Sequence, residues 1–162
     1  MHIHNAVDGL TERWDETPKF VDLEDSQTMI NVYCTRLAPV DARMYSPIAI
    51  SAIPAMLRFL VPYVAPEAQD LLPLIIEHTI ERAWEALVNG EEDNEHFIDY
   101  LGKILVTSSR LLHNFNDPKR LWDSNRHLIA QTFAQRDLIE LVARGLLISL
   151  ENDVPQTPSP DH

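Results

Sequence analysis

The side chains best suited to bind a metal or move a proton are the internal histidines His78, His96, His113 and His127. His78 precedes Glu81 by three residues and His96 precedes Asp99 by three, so on helices each pair would share a face. A di-iron bundle needs the opposite order, Glu-x-x-His, on two helices and a Glu on two more, all facing inward. A zinc site needs several thiolate or imidazole ligands, and Cys34 is the only cysteine. Neither pattern is met, so no metal and no cofactor is expected. Ser109 and His113, four residues apart, would share a helix face as nucleophile and base, but nothing supplies an oxyanion hole. Gly9, Gly90, Gly102 and Gly145 belong to no phosphate-cradling loop.

A basic group formed by Lys119, Arg120, Arg126 and His127 stands apart in this acidic chain. Arg120 and His127 lie two helical turns apart and share a face. This spacing resembles the Arg-x4–6-His motif of HEPN-domain ribonucleases. The resemblance implies an all-α homodimer that cleaves RNA with Arg120 and His127 at a shared cleft. It covers only those two residues, and Leu121 follows the arginine where the motif usually carries a polar residue.

The elements that must position these groups read as helices throughout. Ser26 is the expected cap of a first helix over 26–37, with Met29, Ile30, Tyr33 and Leu37 inward. Thr28, Ile30, Val32 and Tyr33 also suit a strand, but such a strand has no clear partner. Ser46-Pro47 signals the start of a helix to Val61, kinked at Pro54. Leu72, Ile76, Ile80, Ala83 and Leu87 form the apolar stripe of a helix over 67–88, which Pro73 either enters or divides, and Asn89-Gly90 ends it. Glu91, Glu92 and Asp93 precede or enter the next helix, whose buried face runs from Phe97 to Phe115. Asp117-Pro118 starts another, with Leu121, Trp122, Leu128, Ile129 and Phe133 as core contacts. Asp137 and Glu140 are read as a capping-box variant for a last helix to Leu150. That helix is apolar nearly all round, which predicts a central position.

The expected fold is therefore all-α: a compact bundle of five or six antiparallel helices over 26–150. A loose acidic arm over 1–25 precedes it, and a proline-rich tail over 151–162, expected to be disordered, follows. A chain of 162 residues is one domain and needs no disulfide or metal to fold. No stretch of about 20 apolar residues offers a membrane span, and nothing at the N-terminus resembles a secretory signal. With a lone cysteine, these features fit a cytoplasmic protein.

Charge orders the functional readings. The net charge is −12, with 18 acids and 6 bases over 1–99 but 4 acids and 7 bases over 100–150. Such an excess of carboxylates disfavours binding to phosphate backbones and favours steering toward a basic protein. The first reading is a non-catalytic interaction module, such as an inhibitor, immunity protein or regulator of a basic partner. Asp22, Glu24, Asp25, Glu91, Glu92, Asp93 and Glu95 would be its contacting charges, with Trp14, Phe20 or Tyr100 as aromatic anchors. The alternatives are the HEPN-like ribonuclease, a homodimer, and a phage or secretion-apparatus accessory protein.

Overall fold

The computed structural model describes residues 21–39, 45–114 and 122–152. Among the described residues the secondary structure is six α-helices and three short 3-10 turns, with no strand. The helices are α1 (Leu23–Leu37), α2 (Ile53–Leu60), α3 (Leu72–Asn89), α4 (Asn94–Asn114), α5 (Trp122–Gln135) and α6 (Leu138–Asn152). α3 packs on α1 and α5, α4 packs on α2 and α6, and α3 and α4 also touch each other.

α1 begins earlier than the sequence suggests because Asp22, not Ser26, caps it. The Asp22 carboxylate accepts from the Asp25 N–H at 2.8 Å. Glu24 and Asp25 then lie in the first turn, where the helix dipole favours them. Ile30, Tyr33, Cys34 and Leu37 point into the core, so the strand alternative is set aside by burial of the helical face. Ser26 is fully buried inside the helix. Its hydroxyl donates to the Tyr63 carbonyl at 2.7 Å and accepts from the Ala65 N–H at 2.8 Å.

Two prolines start helices rather than kink them. Residues 45–49 are not helical, and a 3-10 turn over Ile50–Ala52 leads into α2, with Pro54 in its first turn. Ser46-Pro47 therefore starts no helix. A 3-10 turn over Pro66–Leu71 likewise precedes α3, with Pro73 in the first turn of the α-helix. Proline lacks a donor, and the first turn needs none. Gly90 closes α3 at φ 61°, and its neighbour's N–H caps the helix from Glu91 to the Ala86 carbonyl at 3.1 Å. Asp93 then opens α4 by accepting from the His96 N–H at 2.9 Å.

The last helix departs most from expectation. α6 lies on the outside of the bundle, not at its centre. Leu141 is 1% exposed and Gly145 is buried, but Ile139 is 86% exposed and Leu146, Leu147 and Leu150 are all more than half exposed. No capping box starts it. Asp137 takes a left-handed backbone at φ 50°, and Glu140 instead bonds Arg144 at 2.6 Å. On α5, Ile129 is buried as expected, whereas Leu128 is 47% exposed. No helix among the described residues is long and apolar enough to cross a membrane.

Candidate functional site

Most of the polar residues with apparent chemical potential are engaged in holding the fold. Arg82 lies on the buried side of α3 and is 3% exposed. Its Nε donates to the Ile48 carbonyl at 2.8 Å, and its guanidinium pairs with Glu91. Glu85 stands 3.8 Å away. One arginine thus ties the 45–49 segment and the α3–α4 turn to α3. Arg136, between α5 and α6, pairs with Glu77 and reaches Glu81 at 2.8 Å. Its carbonyl accepts from the Trp84 indole N–H at 2.9 Å, and Arg144 lies over the same indole at 5.5 Å. Glu77 and Glu81 on α3 are therefore the seat of the α5–α6 corner.

The histidine pairs are regrouped. His78 stays 3.6 Å from Glu81, as the spacing predicts. His96 bonds Asp93 at 2.6 Å instead of Asp99, which pairs with Lys103 at 2.5 Å. The hydrogen bond to Asp93 raises the His96 pKa, and the bonds from His96 lower that of Asp93. Ser109 and His113 are both exposed on α4. Among the described residues no group of three or more His, Cys, Asp or Glu side chains is placed to hold a metal ion.

The anticipated contact residues do not form one patch. Asp22, Glu24 and Asp25 sit at the start of α1, beside residues 63–65 that lead into α3. Glu91, Glu92, Asp93 and Glu95 sit past the far end of α3. The 18 residues of α3 separate the two groups by roughly 27 Å at 1.5 Å per residue. Within the second group Glu91 neutralises Arg82 and Asp93 caps α4, which leaves Glu92 and Glu95 as the carboxylates without such a duty. Tyr100 faces a groove of about 620 Å³ between α2 and α4 that Arg58, Asp99, Lys103 and Arg110 also line, and its ring stacks on His96, which Asp93 holds. Trp14, Phe20 and Arg120 lie outside the described residues. His127 is exposed on α5.

Two features that charge and motif reading missed are apolar. The first is the outer face of α6. Ile139, Ala143, Leu146 and Leu150 follow one another at steps of four, three and four and are all exposed. These steps make one seam of the kind that two-stranded helical pairs bury. Leu138, Leu141 and Gly145 occupy the opposite, inner side. Gly145 is the point of closest approach: a Cβ there would meet Ile98 Cδ1 of α4 at 2.7 Å. The signal was present in the sequence as a helix apolar on two sides.

The second feature is a cavity of about 220 Å³ between α3, α4, α5 and α6. Its walls include Ile80 and Ala83 of α3, Ile104 of α4, Phe133 of α5, and Leu138 and Leu141 of α6. It is only partly enclosed: Ser109 on its lining is exposed, and Leu105, Leu112, Phe133 and Leu138 are half-buried.

No protein-family model matches the chain, and comparison with curated proteins and with solved structures finds no match.

Proposed function

We propose that this protein is a non-catalytic protein–protein interaction module whose contact surface is the outer face of α6. The observation that supports the reading is the exposed seam of Ile139, Ala143, Leu146 and Leu150 on a helix whose other side is seated in the core. Large apolar side chains grouped on one face mark interaction sites more often than scattered ones do. The spacing suits one occupant best: an amphipathic helix of a partner protein, with its own apolar residues at steps of three and four. The net charge of −12, carried outside the net-positive 100–150 segment that holds the seam, favours a basic partner by speeding encounter, while the seam supplies the buried contact. An inhibitor, immunity or regulatory role is the narrower form of the same reading.

Affinity capture of the full chain from its host, at low and high salt, tests it. The double variant Leu146→Glu/Leu150→Glu is run in parallel. Both positions are more than half exposed, so the variant should fold with an unchanged melting temperature. A stoichiometric partner held by the parent chain and lost from the variant is the expected result. An identical set of captured proteins from both chains would overturn the reading.

A further inference from the structure

We propose that the cavity between α3, α4, α5 and α6 is a binding site for a small, uncharged, apolar molecule. This goes beyond the outer face of α6 and does not depend on it.

The chemistry of the walls selects the ligand. None of the described residues lining the cavity is ionisable. A charged ligand would lose its hydration there without gaining a counter-charge. Three hydroxyls reach the lining, those of Thr79, Ser108 and Ser109. Thr79 is already satisfied, since it donates to the Ile75 carbonyl at 2.6 Å and pairs with the Tyr33 hydroxyl at 2.7 Å. Ser108 is buried and Ser109 is exposed at the rim. With so few polar partners on its walls, water in this partly open space gains few hydrogen bonds, and an apolar ligand displaces it at little cost. The ligand therefore presents carbon to most of the wall and at most one neutral hydrogen-bonding group to Ser108 or Ser109.

Size narrows the class further. An apolar cavity of about 150 Å³ already admits benzene. At about 220 Å³, this one suits a molecule of roughly eight to twelve heavy atoms, such as a fused aromatic pair or a medium-length alcohol.

The surrounding contacts oppose collapse. Arg136 fixes the α5–α6 corner to Glu77 and Glu81 on α3. Trp84 adds its bond to the Arg136 carbonyl. Gly145 seats α6 against Phe97, Ile98 and Leu101 of α4. The helices are thus held at their flanks while the space between them stays unfilled.

The test is thermal unfolding and calorimetric titration of the full chain with indole, 1-octanol and, as the charged counterpart, octanoate. The two neutral probes should raise Tm by about 3–6 °C at ten times their Kd, and octanoate should not. Ala83→Leu, which fills the cavity from α3, should abolish the shift. Ser108→Leu fills it from α4 and replaces Ala83→Leu if that variant does not fold. Nuclear Overhauser contacts from indole to the Ile80 and Ile104 methyls should locate the probe. No shift with either neutral probe would overturn the proposal. So would a shift that survives filling of the cavity, or equal binding of octanoate.

Discussion

Replacing Ser26 with alanine removes a single oxygen, yet it should be among the costlier substitutions in α1. The Ser26 hydroxyl serves two backbone groups at once, the Tyr63 carbonyl at 2.7 Å and the Ala65 N–H at 2.8 Å. Ser26 is fully buried and Ala65 is 5% exposed, so water does not readily take the place of the lost oxygen. Each buried polar group left unpaired costs about 1–3 kcal/mol. Tyr63 is only half-buried, so its carbonyl belongs at the low end of that range. The sum is about 2–4 kcal/mol, or a fall in Tm of roughly 5–12 °C for a domain of this size. Tyr33→Phe is the internal comparison. It also deletes one buried hydroxyl, but its partner Thr79 keeps its bond to the Ile75 carbonyl and is not stranded. That variant should lose only about 0.5–1.5 kcal/mol. Urea unfolding of both variants, followed by circular dichroism, measures the two costs. A Ser26→Ala cost below that of Tyr33→Phe would refute the reasoning that stranded partners, not lost bonds, set the penalty.

Further outcomes follow from the same contacts. Glu91→Gln should cost about 1.5–3 kcal/mol in urea unfolding, because Arg82 stays buried with only the more distant Glu85 to oppose its charge. A change below about 0.5 kcal/mol, the size of an ordinary surface substitution, would show that Glu91 does not neutralise Arg82. In an NMR titration His96 should protonate above the usual histidine range, and Asp93→Asn should bring it back down. The raised His96 pKa gives stability that is full below the unfolded histidine value and fades as pH rises through the folded one. The lowered Asp93 pKa gives stability that fades as pH falls through its own folded value. The pair thus contributes most in the mildly acidic window between them. Burial pushes the Cys34 thiol up to about 11. Its alkylation at pH 8 should be about two orders of magnitude slower in the native protein than in denaturant, and equal rates would contradict its burial.

Local signals in the sequence identified the helices well and their neighbours poorly. The α3 stripe and the Gly90 stop rest on contacts within a few residues, and both are present. The apolar run on both sides of Pro54 suggests a kinked helix. The chain instead leaves 45–49 non-helical, with the Ile48 carbonyl accepting from Arg82. Ser26 has the right chemistry for a cap, but its partners come from residues 63–65, and no spacing rule near Ser26 points there. Arg82 is similar. A cation on the buried side of α3 is tolerable only because Ile48 and Glu91 converge on it, and that convergence belongs to the tertiary structure. The α6 pattern was visible as apolar residues on two sides, but sequence alone did not say which side the bundle would cover. The cavity left no trace in the sequence, since the residues that line it are ordinary apolar and hydroxyl side chains brought together only by the packing of four helices.

The asymmetry along α6 has a kinetic consequence. Arg136, Leu138, Leu141 and Gly145 fasten its first half to α3 and α4, while Leu150 near its other end is exposed. Backbone amides near 141 should therefore exchange hydrogen only on large-scale opening of the bundle, and those near 150 by local opening of the last turn. Fraying there exposes little buried surface, because Leu150 is already 64% exposed. The seam thus spans a boundary between slow and fast exchange, and a helix docked on it would move that boundary toward the end of α6.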